Sequence, residues 1–437
     1  MERNLLRIAL LGAAIAAAPA VDPPKPEDTF VAVETHAWPQ FGCDAGCTFS
    51  TTGGLAFPLT PRWAWMKAAP VSAVAYIVAQ GDRVVLEGTG DHNHNAKIGD
   101  PANNPYLVGL DAETGKTAWE WSHKHDWGWG CVIAIASDHV WFNDDGLGKV
   151  HWKDGTAEGL GGGADSWGNI SVDAKAGIFV KGCALKLDND GTGVWAYGFD
   201  GGMKWQALRD DGVRMKDEMP FCSIAQGCGM VFVSATWTGP TAKKHKDGIF
   251  GLKQSDGSES WTRDGSWGGV SCDGRYAYAT SGEKDSAKLH CMDPATGKDV
   301  WSLNCGARAT HPPAHGRGMC VVLTDTGALA GIPTEGDKAG KSAAWQARTD
   351  PPYGGGERAC NHAALAIAQG GGKNGILVVT GQRSIRFHDL KRGAAIGELP
   401  LDAKLGQPRN PTIADGCLYV NGSEGVVCYG PKPAKAK

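Results

Sequence analysis

The chain reads as an all-β ring: an eight-bladed propeller of four-stranded antiparallel blades. Three observations predict it. An eleven-residue pattern recurs, Gly109-Leu-Asp-Ala-Glu-Thr-Gly-Lys-Thr-Ala-Trp119, with a close copy at Cys291–Trp301 and a looser one at Gly251–Trp261. Gly (63) is abundant and Trp (17) outnumbers both Phe and Tyr, a mix that suits short strands joined by tight turns. The final unit is one strand short, while a spare strand with a Trp stands near the N-terminus. Fixed-period self-similarity of this kind marks a repeat architecture.

The repeated stretch is a hairpin. Asp bonds the turn backbone, Gly takes the positive φ that the reversal needs, and Trp closes the second strand. One hairpin cannot bury a Trp alone, so units must stack.

The order of elements follows. Residues 1–20 read as a signal peptide: Arg3 and Arg7 flank the start, Leu5 to Ala17 is almost wholly apolar, and Ala18-Pro19-Ala20 fits an A-x-A cleavage site. The mature chain is expected to begin near Val21, with a Pro-rich linker over 21–35 and no transmembrane segment. The propeller is placed at 36–430, and 431–437 as a disordered tail. Trp38-Pro-Gln-Phe41 opens the folded region, and Pro61-Arg-Trp-Ala-Trp65 is the spare strand. Unit one spans about Val71 to Trp121, with a long polar insertion from Asp91 to Asn104. Unit two, from about Gly128, is degenerate in its last two strands. Units three to six end at Trp205, Trp261, Trp301 and Trp345. Unit seven replaces the Trp with an aliphatic residue near Ile396 or Leu399. The last unit stops after Gly425-Val-Val-Cys-Tyr429, and the Pro61–Trp65 strand completes it, removing both sheet edges. Seven blades is the alternative count, because unit two is weak.

These residues resemble the pyrroloquinoline-quinone-like (PQQ-like) β-propeller repeat family, whose hallmark hairpin A-L-D-x-x-T-G-x-x-x-W is matched best at Gly109–Trp119 and Cys291–Trp301. Trp38-Pro-Gln-Phe-Gly42 is similar to the entry motif of secreted members. The resemblance implies the fold and an exported, periplasmic or secreted, setting. It leaves function open, because the family includes quinoprotein alcohol dehydrogenases, outer-membrane assembly scaffolds and many uncharacterised exported propellers.

A net charge of −4 gives no basic footprint, so nucleic acid is not an expected partner. Thirteen Cys in an exported chain imply some disulfides and at least one free or intermolecular thiol. Cys43 with Cys47, and Cys417 with Cys428, are candidate pairs. No C-x-x-C-H occurs, which argues against covalent haem.

In a propeller, the links between blades and the loops joining second and third strands share one face, the usual functional surface. There the chain places Trp127, Trp129, Trp167, Trp267, His311, His362 and Arg409, a candidate aromatic and polar mouth for a flat or sugar-like ligand. The competing reading makes the Trp-Gly pairs blade-to-blade packing. Two His-x-His pairs, His92 with His94 and His123 with His125, fall near the boundary of blades one and two and are candidate ligands for one transition metal. The sequence has no Cys-Cys pair of the quinoprotein dehydrogenases and no nucleophile elbow, P-loop or dinucleotide fingerprint. The first reading is therefore a non-enzymatic module binding a cell-envelope protein, a glycan or a small ligand. The alternative is an oxidoreductase using PQQ with calcium, or a single transition metal, at the same mouth.

Overall fold

The computed structural model describes residues 37–67, 73–89, 106–122, 133–143, 147–159, 170–183, 192–210, 221–236, 246–282, 286–309, 311–349, 364–370, 372–406 and 408–431. These form eight sheets arranged as eight blades, each a four-stranded antiparallel meander; the seventh gains a fifth strand. Blade one runs Ala73–Gln80, Arg83–Thr89, Tyr106–Asp111 and Thr117–Ser122. Unit two is a full blade, though its last strand is only Ala157–Gly159, so the count is eight.

The ring closes as expected. Leu59–Met66 pairs antiparallel with Gly425–Pro431, in a register that sets Trp63 opposite Cys428. The N-terminal strand thus becomes the outermost strand of blade eight.

The repeated hairpin proves to be an interlock. Trp119 donates its indole N–H to the carbonyl of Trp152 in blade two at 3.1 Å. Trp205, Trp261 and Trp345 do the same to Gln254, Pro294 and Leu390 of the next blade, at 2.8, 2.9 and 2.9 Å. Trp63 closes the circle onto Ala112 of blade one at 2.9 Å. Each ring lies flat on the turn glycine of that next blade. A Cβ on Gly155 would stand 2.7 Å from Trp119, and one on Gly393 would stand 2.4 Å from Trp345. Those glycines have φ of +71° and +68°. The Gly of one hairpin therefore serves two needs: it makes its own turn and receives the Trp of the blade before it. Blade two lost its Trp yet kept Gly155, because Trp119 needs it. In blade seven the register sets Gly397, not an aliphatic residue, at the Trp position, with the Phe387 ring facing it, while Ile396 and Leu399 pack against the core to either side.

The entry motif does more than begin the fold. Residues 38–51 run around one end of the central channel, bonding the inner strands in chain order. Trp38 exchanges two backbone hydrogen bonds with Ala79 of blade one, and Ile135 of blade two donates to Pro39. The Gln40 side chain accepts from the Val172 N–H and donates to its carbonyl in blade three, both at 2.8 Å. Gln226 of blade four donates to Ala45, Cys272 of blade five to Gly46, and His315 of blade six to Thr48. Ser50–Thr51 then adds to blade seven as a parallel strand beside Leu365–Ala368. All these partners lie toward the C-terminal ends of the inner strands, so this segment caps the end of the channel that faces away from the blade-to-blade links. Its backbone turns tightly, with positive φ at Gly42, Cys43, Cys47 and Phe49. Phe41 and Phe49 stack edge-to-face at 5.3 Å inside it. The void behind it, beside Tyr76, Ile133 and Pro411, is about 10 Å³, room for no more than one water.

Candidate functional site at the link-bearing mouth

With one end capped, the opposite end of the channel is the candidate site. Trp267, His311 and Arg409 are placed there by the fold. Trp267 opens the inner strand Trp267–Cys272 of blade five. His311 lies just before the inner strand Ala314–Gly316 of blade six, and Arg409 is second in Pro408–Ala414 of blade eight. Trp127, Trp129, Trp167, His362, His92, His94, His123 and His125 lie outside the described residues, so neither the rest of the aromatic mouth nor the four-His metal site is tested. Among the described residues, no three His, Cys, Asp or Glu side chains converge on a metal-sized space.

His311 is the most informative of the three. It is 3% exposed, and neither ring nitrogen has a hydrogen-bond partner among the described residues. Burial pushes its pKa down to about 4, with only Asp325 opposing. A neutral imidazole with two unmet nitrogens inside a protein costs on the order of 1–3 kcal/mol per unmet group. Arg409 Nε and Trp267 Nε1 are likewise buried and unpartnered, as are the hydroxyls of Thr349 and Thr380. Thr349 leads into the link from blade six to seven. Thr380 ends the second strand of blade seven and bonds through its N–H to Ala364 beside that link. Neither threonine stands out in the sequence; the one signal is for Thr380, through the recurrence of Ser or Thr near the ends of second strands at Ser234, Thr280 and Thr380.

Trp267 is partly a packing residue. The Arg263 guanidinium stacks 4.7 Å above its ring, and the His290 ring lies 5.0 Å away. The packing alternative holds for its ring face, while its indole N–H remains unmet. Beside it runs a chain with the order of a hydrolytic relay: Ser281 Oγ lies 2.7 Å from His290 Nε2, and His290 Nδ1 lies 3.0 Å from Asp299. Its electrostatics oppose that use. Arg263 pairs with Asp299 at 2.5 Å and stands 3.5 Å from His290 Nδ1. Burial lowers the His290 pKa, Asp299 opposes this through its bond and its charge, and Arg263 and Lys288 lower it again, leaving it below the usual imidazole value. An imidazolium formed there would meet a fixed cation, so the chain serves as a satisfied polar contact between blades four and five.

The candidate cysteine pairs are thiols in this structure. Cys43, Cys47, Cys417 and Cys428 are all free. Cys43 and Cys47 each turn toward backbone carbonyls, of Ala37 and Ile224 respectively. Cys417 and Cys428 sit on paired strands, with Tyr419 rather than Cys417 directly facing Cys428, and their two side chains still act on each other. The Arg62 guanidinium lies 3.4 Å from Cys417 Sγ.

A family model described as "Outer membrane protein assembly factor BamB" matches residues 245–434, which run from the last two strands of blade four through blades five, six and seven to the first three strands of blade eight. No curated protein matches in sequence. Among solved structures, the quinohemoprotein alcohol dehydrogenase of Comamonas testosteroni is 13% identical, with a TM-score of 0.60 over 92% of this chain and 82% of that one. A europium-containing methanol dehydrogenase is 12% identical, with a TM-score of 0.59 over 90% and 91%. A computationally designed protein, Ika8, is 13% identical at a TM-score of 0.55 over 84% and 98%. At such identities the likeness is one of fold.

Proposed function

Since the chain is a PQQ-like β-propeller, we propose that it is an exported binding or scaffold module that engages a cell-envelope protein, glycan or small ligand at the link-bearing mouth of its channel. One observation carries this reading: buried polar atoms gather at the link-bearing end with no partner among the described residues. The capped end meets its backbone groups with the entry segment and leaves His315 Nδ1 and Thr412 Oγ1 unmet, whereas the link-bearing end holds unmet atoms on His311, Arg409, Thr349, Thr380 and Trp267. Folding alone gives no reason to retain such atoms, while a ligand with matching donors and acceptors does. The assembly-factor model over residues 245–434 supports a protein partner in the envelope.

The oxidoreductase reading draws on the fold shared with the two dehydrogenases. A calcium-bound quinone needs a cluster of oxygen donors. The described mouth residues are an indole, an imidazole, a guanidinium and hydroxyls, with the Asp325 carboxylate near His311, and among the described residues no second acidic side chain joins it to make that donor set. No step is derived through such a group.

The test uses crosslinking of purified protein in envelope extract from its own cells, with three variants. His311→Leu and Arg409→Ala alter the mouth. Met203→Asp alters the outer rim, where Met203 is 60% exposed. A partner retained by Met203→Asp and lost by both mouth variants is expected. A partner lost only by Met203→Asp overturns the mouth and places binding on the rim. In parallel, absorbance after adding PQQ and calcium should be unchanged by the protein; a saturable spectral shift would favour the oxidoreductase. N-terminal sequencing of the mature protein is expected to begin at Val21.

A further inference from the structure

Cys228 and Cys272 stand in different blades and come together at the capped end. Cys228 belongs to the two-residue turn Cys228-Gly229 between the first two strands of blade four, Phe221–Gly227 and Met230–Thr236. Both turn residues have positive φ, +57° and +72°, the tight hairpin that ordinarily places Asn, Asp or Gly first. Cys228 is exposed, and its thiol lies 3.1 Å from the Gly274 carbonyl of blade five. Cys272 ends the inner strand of blade five and is buried. Its sulfur lies against Gly227, where a Cβ would stand 2.5 Å away. A larger residue at 227 would displace that sulfur. The two side chains act on each other, and Cys228 is the more acidic of the two.

We propose that Cys228 and Cys272 are the site of an oxidative crosslink, a disulfide that staples blade four to blade five beneath the entry segment. The position gives the bond a consequence. Gln226, two residues before Cys228, donates its N–H to Ala45 at 2.6 Å, and Cys272 donates its own to Gly46 at 2.7 Å. Adjacent residues of the entry segment are thus held by the two strands that the bond would tie. The crosslink closes a 44-residue span, from 228 to 272, and restrains the unfolded chain over it.

The chemistry takes a small disulfide or a thiol–disulfide oxidoreductase as oxidant. The exposed Cys228 thiolate attacks one sulfur of the oxidant, forming a mixed disulfide and releasing one thiolate. Cys272 loses its proton to solvent and attacks the Cys228 sulfur, releasing the second thiolate. Two protein thiols are oxidised and one oxidant disulfide is reduced to two thiols. Access dictates the order, because only Cys228 reaches solvent.

The experiment treats the full mature chain with oxidised glutathione, alkylates residual thiols after denaturation, and maps peptides by mass spectrometry without reduction. A linked pair of peptides carrying Cys228 and Cys272, two mass units below the sum of its reduced parts, is expected. The Cys228→Ser variant should lose that pair and leave Cys272 alkylated. The melting temperature of the oxidised protein should exceed that of the reduced protein by on the order of 5 °C, and Cys228→Ser should abolish the difference. Cys272 alkylated in full in the oxidised wild type, or Cys228 found only as its glutathione adduct, would overturn the assignment. So would a linked pair joining Cys228 to any other cysteine.

Discussion

The two ends of the channel are made from the same eight inner strands, yet they are finished in opposite ways. At one end, residues 38–51 supply a bond to blade after blade in chain order, down to the paired donor and acceptor of Gln40 on Val172. At the other, the inner strands begin beside His311, Trp267 and Arg409, whose buried polar atoms have no partner among the described residues. The contrast separates stability from function within one barrel of strands. The capped end explains why the ring holds, and the other end carries the denser cluster of unmet polar atoms.

The largest expected effect comes from removing the cap. Deleting residues up to Trp65 takes away both the cap and the closing strand, and should leave no cooperatively folded monomer by calorimetry. A deletion that stops before Leu59 keeps the closing strand and removes only the cap; it should still fold, destabilised by more than about 5 kcal/mol from lost burial of Trp38, Phe41 and Phe49 and the lost bonds. Equal stability of the two truncations would show that the cap alone decides folding.

Acid sensitivity sets the two ends against each other next. Burial holds the His311 pKa down to about 4 in the folded chain, while the unfolded chain titrates near 6.5. Between those values the unfolded state binds more protons, so this contribution is intact above pH 6.5 and is lost as pH falls toward 4. His315, bonded to the cap and also depressed by burial, acts in the same direction. Asp44 in the cap is raised by burial to about 6, from 3.8. Between those values the folded state binds more protons, so Asp44 contributes stability as pH falls from 6 toward 3.8. Each shift corresponds to roughly 3 kcal/mol across its window. In urea titrations at stepped pH, His311→Leu should flatten the loss of stability on acidification, and Asp44→Asn should steepen it. The reverse pattern would refute the assigned burial at both ends.

A smaller effect is expected at Gln40. Gln40→Leu leaves the N–H and carbonyl of Val172 unpaired inside the cap, and should cost about 2 kcal/mol in equilibrium unfolding. The smallest belongs to the other mouth. At pH 7, His311→Leu removes unmet nitrogens and no bond, so stability should stay within about 1 kcal/mol of the parent or rise. A large loss there would mean that His311 is bonded in solution.

The legible parts of this molecule were the local ones. Gly109 to Trp119 announces a hairpin because turn and strand chemistry act within a few residues. The spare strand at Trp63 and the deficit after Tyr429 announce closure because a ring must have as many outer strands as inner ones. What was not legible lay at a distance. Nothing near Trp38-Pro-Gln-Phe41 indicates that seven blades will bond the segment that follows, since their donors are spread from Ala79 to Gln369. The candidate mouth was half legible: Trp267, His311 and Arg409 stand out as residue types in links, but Thr349 and Thr380 look like ordinary strand ends until their hydroxyls are found buried and alone.

By itself the sequence determined the blade, its repetition and the strand that closes the ring, because each depends on backbone preferences and on a Trp needing a neighbour. Tertiary structure alone decided the rest. It made the turn glycine of one blade the seat of the Trp before it, through a close approach that a Cβ would forbid. It capped one end of the channel and left the other with unmet polar groups, because hydrogen-bond satisfaction is settled between residues far apart in the chain.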